Sequence, residues 1–478
     1  MKRLNPSLIE KFKTQLEKLP VFEPSYYKRE KAINYHYSVD ACEFYQQILP
    51  SNYNKTKVWG FGGLCKDNKD KCVKYIKHSP GPTFEVDRYI HTNIQWNNKI
   101  TSEYMFKIDT DISWVNPNNI DFSKNNHNNN SQDAQWPVTL VMHLNGMICD
   151  SINDGNPRAW YTSTGIRGHL YKTNYYKFIN NQPSCMLWYY DQSPGVSRIS
   201  VYSGLCGLYS IKDEENTTLP KDDYHMQLII QDKSFYEDGS LYYDEKWNDK
   251  FYGDVIVVNG KAWPTFNVKN QLYKFDILNG SNSRPYKIAL SDGSRMIQIG
   301  SDVGYINKSE NLEYFVLYPG ERITILIDFS KYNINDKIIM KNLFAEDECK
   351  DIMQFNIYEI SKKIDYYIPD ILTNFPEMNI NREKKTTRII KDINNKYLLD
   401  NKNYFNIPDF IKVGSCFIWE FINLTEEDTC IHLHLVHFQI IERRKIDKKV
   451  SEENIINDNI IVDEYIDENI ELPREYET

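Results

Sequence analysis

The chain has 478 residues, 41% hydrophobic and 26% charged, with 57 Lys and Arg against 66 Asp and Glu for a net charge of −9. At roughly 150 residues per domain that length corresponds to about three domains, and the balance is that of a globular protein, not of a disordered, coiled-coil or collagenous one. An acidic chain offers no basic field to nucleic acid or to an anionic membrane, so neither is expected as a partner. Aromatic residues make up 14% of the chain, with 35 Tyr, 22 Phe and 9 Trp. Such residues favour half-buried pleated surfaces, which tilts the expectation toward β structure.

In chain order, the N-terminus is charged but lacks an apolar run of seven or more residues behind it, so no secretory signal is expected. No stretch of 18 apolar residues suggests a transmembrane helix. Leu8, Phe12, Leu16 and Leu19 recur at helical spacing before Pro20 and predict a helix over 7–19. Beyond it, short apolar runs alternate with turn signals about every ten residues. They include Val138–Leu144, Gln227–Ile230, Asp254–Gly260, Tyr273–Gly280, Ile323–Phe329 and Phe417–Ile422. This recurrence predicts β-sandwiches or barrels. The Asn-rich stretch at 125–133 reads as a loop, residues 376–403 as an interdomain linker or long excursion, and 451–478 as a poorly ordered acidic tail. Nine scattered cysteines without a Cys-x-x-Cys pattern read as thiols, not as a disulfide framework.

Three segments carry chemistry. The first is Met142-His143-Leu144-Asn145-Gly146, followed by Asp154-Gly155-Asn156-Pro157-Arg158-Ala159-Trp160. The second is Leu187-Trp188-Tyr189-Tyr190-Asp191-Gln192, running on to Gly207. The third is Thr429-Cys430-Ile431-His432-Leu433-His434-Leu435-Val436-His437. A His-x-His pair on a strand puts both imidazoles on one face, because side chains alternate with period two, and such a pair can hold one metal or two. The competing reading is a pair satisfied by hydrogen bonds in a polar core. Asp154 and Trp160 read as packing residues, Asp191 as structural, and Arg198 and Glu321-Arg322 as makers of structural ion pairs.

With these segments the sequence resembles the multicopper oxidases, in the branch of bacterial spore-coat laccases and bilirubin oxidases. Val58-Trp-Gly-Phe and Pro80-Gly-Pro-Thr-Phe-Glu-Val look like that branch's opening strand. Val258-Asn-Gly-Lys-Ala-Trp-Pro, Ile277-Leu-Asn-Gly-Ser-Asn-Ser-Arg, Gln298-Ile-Gly-Ser-Asp and Pro319-Gly-Glu-Arg look like its second domain. The resemblance runs from about residue 10 to 445. It implies an all-β fold of three consecutive cupredoxin-like Greek-key β-barrels, the third incomplete. The implied domains are 1–213 with the N-terminal helix, 214–362, and 363–478 as linker plus truncated third barrel. Copper is the implied cofactor, in a type 1 site that takes electrons from phenols or metal ions and a trinuclear cluster that reduces oxygen.

Carried over residue by residue, the resemblance also implies losses. His143 matches the first histidine of the first pair, but Asn145 stands at its partner's position. Tyr190 and Gln192 stand where the second pair has two histidines, and Thr429 where the third motif has its leading, type 1 histidine. His432 and His434 are kept, and no histidine follows His437, so the fourth motif is absent. The metal-ligand candidates are therefore His143, His432 and His434, with Cys430 expected on the same strand face as the last two. Three functions follow as expectations: a multicopper-family oxidoreductase whose oxygen chemistry is lost, a non-catalytic cupredoxin scaffold serving as a coat or interaction protein, or a mononuclear metal-binding protein using His143 and His432. A small phenolic or metal-ion substrate belongs only to an active version. The expected location is the cytoplasm, with the spore coat as the alternative.

Overall fold

The computed structural model describes residues 1–29, 32–66, 72–112, 115, 134–213, 218–248, 250–361, 364, 366–375, 384–391, 397–402, 411–412 and 414–443. The Asn-rich stretch at 125–133 and the acidic tail at 451–478 lie outside them. Met1–Thr373 together with Leu433–Gln439 form one compact unit, and Asn374–His432 belong to a second. The fold is all-β, as the aromatic content and the recurring apolar runs lead one to expect.

The first unit begins with a mixed sheet of eleven strands among the described residues. Its framework is β1 (Ala32–Gln46), β2 (Thr56–Lys66), β3 (Gly81–Asp87), β4 (His91–Asn98), β5 (Met142–Asn145), β6 (Cys185–Asp191) and, after the short helix α1 (Ser197–Ser203), β7 (Cys206–Lys212). β1 pairs antiparallel with β2 and parallel with β4, while β7 pairs parallel with β3 and antiparallel with β6. The strands β2, β3, β5 and β6 are almost wholly buried. Tyr189 meets Phe61 and Phe84 edge to face, each 5.2 Å between ring centres, and Trp96 of β4 at a tilt of 45°, 5.4 Å away. The Tyr189 hydroxyl donates to the Pro82 carbonyl at 2.6 Å, so the ring buries its area without stranding its polar tip.

The same unit continues with two further sheets. One carries β8 (His225–Phe235), β9 (Val255–Val258), β10 (Leu272–Asn279) and β11 (Arg322–Asp328) in the order β9, β8, β10, β11. The other has five strands, among them Asp351–Glu359 and Lys337–Asn342. Phe275 of β10 meets Phe355 of the facing sheet at 5.4 Å, and Phe329 meets Phe355 at 5.1 Å, so the two sheets close on an aromatic core as a sandwich does.

The expected helix over 7–19 does not form. Only Pro6–Leu8 makes a single 3-10 turn. The remainder runs alongside the second barrel: Leu4 N donates to Phe235 O, Phe12 N to Trp263 O and Leu16 N to Thr265 O, while Thr265 N donates to Thr14 O. The backbone groups a helix would use internally are spent on neighbouring strands, and Leu4, Ile9, Leu16 and Leu19 are buried there. An isolated helix of about a dozen residues is marginal in water, so tertiary contacts decide the outcome.

In the second unit, β12 (Lys384–Lys391) pairs parallel with β13 (Ile418–Asn423) and antiparallel with the short strand Tyr397–Leu399. The region read as linker therefore contains strand. Thr386, Thr387, Ile389 and Ile390 are β-branched residues that suit a pleated surface. Trp419 and Phe421 stack 5.1 Å apart on β13, and Trp419 Nε1 donates to Thr387 Oγ1 at 2.9 Å.

Candidate metal centre

His143 sits at the middle of β5, where all four residues are buried, directly opposite Tyr190 of β6. The chain leaves β5, makes the 3-10 turn Ser151–Asn153 and returns to it through Asp154 and Gly155. Gly155 has φ +79°, and a Cβ there would lie 1.9 Å from the Met142 carbonyl oxygen, so only glycine lets the loop close on the strand. That closure brings Asp154 onto His143. The His143 Nδ1 donates to the Asp154 carbonyl at 2.6 Å and lies 3.4 Å from its Oδ1.

The segment carrying the retained histidines is not a strand, contrary to expectation. Residues 429–443 contain no strand among the described residues, and His434-Leu435 form a turn with Leu435 at φ +67°. The alternation that would put Cys430, His432 and His434 on one face is absent, and Cys430 is exposed. His432 falls in the second unit and His434 in the first. His434 Nδ1 donates to Asp154 Oδ2 at 3.0 Å, and its ring centre lies 4.5 Å from that of His143 at a tilt of 40°. His437, from the same segment, donates from Nε2 to the Gly146 carbonyl at 3.2 Å.

Asp154, read from the sequence as a packing residue, thus serves both imidazoles. Burial by itself would raise its carboxyl, yet the hydrogen bonds and charges of His143 and His434 hold it well below the usual carboxylate range. Trp160 is buried, as expected of a packing residue. No sequence spacing links Asp154 to His434, 280 positions away.

Asn145 and Tyr190, beside His143, form an arrangement of their own. Asn145 is buried, and its Oδ1 accepts from Arg322 Nη1 at 2.9 Å. Tyr190 is hydrogen-bonded to the Asn145 side chain, and burial pushes its hydroxyl up to about 12, so it is a neutral phenol and not a phenolate at physiological pH. Tyr190 also stacks on Trp188 at 4.2 Å. Arg322, from β11 in the second barrel, is 4% exposed. It donates from Nε to Asp302 O at 3.2 Å and from Nη1 to Gly320 O at 2.9 Å, with Asp302 Oδ1 3.4 Å from Nη1. Arg198 lies over the Tyr243 ring and donates to its hydroxyl at 3.2 Å.

Asp191 is fully buried beneath this row. Its Oδ1 accepts from Val141 N, Ser193 N and Ser193 Oγ at 2.9, 3.2 and 2.7 Å. Burial raises its carboxyl to about 6 against an ordinary 3.8, with those hydrogen bonds opposing the rise. The folded protein therefore binds this proton more tightly than the unfolded chain. The stability that Asp191 contributes is lost as pH rises from about 4 to 6, by up to roughly 3 kcal/mol for a shift of this size. Urea titrations of wild type and Asp191→Asn across that window should differ in slope, with the variant flatter. Parallel curves would contradict the burial argument.

The described residues are nearly all β in curled sheets, with the His143 and His434 rings 4.5 Å apart, and comparison with known proteins identifies the fold as that of the multicopper oxidases. No protein-family model matches the sequence. The laccase of Bacillus subtilis is 31% identical over 461 residues, covering 90% of this chain and 83% of that protein. The multicopper oxidase LPR1 of Arabidopsis thaliana is 30% identical over 387 residues, covering 74% of this chain and 64% of that protein. In structure, the McoA multicopper oxidase of Aquifex aeolicus superposes with a TM-score of 0.67 at 22% identity, covering 90% of this chain and 86% of that one. A laccase from Pediococcus acidilactici does so at 0.67 and 21%, covering 87% and 78%. The chain belongs to the multicopper oxidase family and is laccase-like.

Membership implies copper, and the donor set decides how much of it the residues suit. A three-copper cluster needs imidazoles at each ligand pair, and at Asn145 and Tyr190 the side chains are neutral oxygen groups hydrogen-bonded to each other. Such groups are poor copper ligands beside imidazole. Asn145 and Tyr190 bring no imidazole beside His143.

Proposed function

We propose that this protein is a laccase-fold member of its family that does not reduce dioxygen and serves as a non-catalytic scaffold, in the manner of a coat or interaction protein. The observation that carries this reading is the hydrogen-bonded row Arg322–Asn145–Tyr190 beside His143. Reduction of dioxygen to water takes four electrons and a centre that collects them. Asn145, Tyr190 and Gln192 supply no imidazole for it, and Thr429 supplies none to an electron-entry site. The net charge of −9 speaks against a nucleic-acid partner. No helix among the described residues is long and apolar enough to cross a membrane.

The test is direct. Protein produced in copper-supplemented medium should show no blue absorption band and no oxygen uptake above buffer with a phenolic dye. Turnover of the dye with a blue band would overturn the reading. A second reading, retention of one metal, is favoured by the contacts between His143, His434 and Asp154.

A further inference from the structure

We propose that the open edge of the strand Val73–His78 receives the acidic C-terminal tail, residues 451–478, of a second copy of this chain, so that copies join head to tail; this rests on the scaffold reading and names its partner. A strand edge presents a row of backbone donors and acceptors, a template for another chain unless something covers it. Three other edge strands are engaged. Thr265–Lys269 is bridged by Gln15 of the N-terminal segment. Asn307 on Gly304–Leu312 accepts from Leu372 N at 2.8 Å. Lys177 N on Tyr175–Phe178 donates to Asn153 Oδ1 at 3.0 Å. Val73–His78 pairs with β2 alone among the described residues.

The hairpin's surface is apolar and basic. Leu64 of β2 lies opposite Tyr75, and Lys66 opposite Val73, so these four side chains share one face. Leu64, Val73 and Tyr75 are 53%, 51% and 50% exposed. The Tyr75 hydroxyl donates to Asp40 Oδ2 at 2.7 Å, which lays the ring across Gly62, where a Cβ would lie 2.7 Å from that hydroxyl. Lys66, Lys74 and Lys77 are exposed around this apolar strip. The hairpin tip at 67–71, outside the described residues, carries two Asp and two Lys and leaves the positive sign unchanged. Edge lysines repel most incoming strands, but a strand rich in carboxylates meets them as opposite charges. The tail is such a segment. Residues 451–478, also outside the described residues, hold ten Asp and Glu against Arg474 alone. That is the whole net charge of the chain, because residues 1–450 balance at 56 basic and 56 acidic. Ile460-Ile461-Val462-Asp463-Glu464-Tyr465-Ile466 joins β-branched and aromatic residues to acidic ones, a composition suited to strand addition at a basic edge. Tail and edge are different surfaces, so the contact is heterologous and can repeat from copy to copy, as a scaffold needs.

Sedimentation of the purified full chain should show association that rises with concentration. Isotope-labelled and unlabelled full chain, mixed equally and treated with a carbodiimide that joins amines to carboxylates, should yield peptides linking Lys66, Lys74 or Lys77 to acidic residues of 452–471 in mixed isotope pairs. Reversing the edge with Lys66→Glu, Lys74→Glu and Lys77→Glu alters exposed side chains only. It should weaken association about tenfold or more at an unchanged urea midpoint. Neutralising the tail with Asp463→Asn, Glu464→Gln, Asp467→Asn and Glu468→Gln should weaken it likewise while leaving the edge intact. Linked pairs of a single isotope would show that a chain's own tail takes the edge and would overturn the inference. A wild type that stays monomeric, or association indifferent to both sets of substitutions, would overturn it too. Each of these failures leaves the absence of oxygen reduction standing, because the dye assay reads that separately.

Discussion

Replacing Arg322 by alanine is expected to lower stability by about 3–5 kcal/mol, because removing one member of a buried charged pair leaves the others uncompensated. The guanidinium is 4% exposed and reaches from the second barrel to the first. It serves the carbonyls of Asp302 and Gly320, the Asn145 amide and the Asp302 carboxylate. Alanine strands all of these acceptors and opens a cavity between the barrels. Arg322→Met keeps the packing of the stem and loses only the charge and hydrogen bonds, so its loss should be smaller. Equilibrium urea unfolding measures both. A loss under about 1 kcal/mol for the alanine variant would mean that solvent readily replaces the guanidinium and that it does not tie the barrels together.

Tyr189→Ala should be comparably damaging, by about 3–5 kcal/mol, the usual range for deleting a buried aromatic side chain. Its ring touches Phe61, Phe84 and Trp96. The backbone also comes in close to the ring, since a Cβ at Gly207 would lie 2.3 Å from the Tyr189 hydroxyl. Nearby side chains cannot collapse into the space without moving β7. Tyr189→Phe removes only the bond to Pro82 and should cost about 1 kcal/mol. If the two variants proved equally destabilising, the hydroxyl and not the ring would be the stabilising element.

The strands were legible because most are buried on both faces. Val255–Val258 is an unbroken run of Val and Ile, Arg322–Asp328 carries Ile323-Thr-Ile-Leu-Ile, and Leu272–Asn279 alternates apolar residues with Lys274 and Asp276. The N-terminal segment misled because Leu8, Phe12, Leu16 and Leu19 fit a helical period, while the partners that claim its backbone, Phe235, Trp263 and Thr265, lie far along the chain. His143 and His434 stood out by rarity and spacing. Asp154 did not, since nothing local distinguishes an aspartate before glycine in a turn from one facing two imidazoles. The Arg322–Asn145 contact joins positions 177 apart, and sequence pattern carries no record of that distance. The strand expected to carry His432 and His434 does not form, and a turn lies at His434-Leu435 instead.

The N-terminal segment along the second barrel sets an order on synthesis. Arg3 Nη2 reaches Ser234 Oγ across 231 positions, and Leu16 finds its carbonyl at Thr265. A ribosome adding roughly 5–20 residues per second takes on the order of ten to fifty seconds to cover that distance. Residues 3–16 thus emerge well before the strands that hold them. A nascent chain that has finished only its first barrel still carries an unplaced apolar segment at 4–16, and the second barrel cannot be released as an independent fragment without leaving part of its own edge behind.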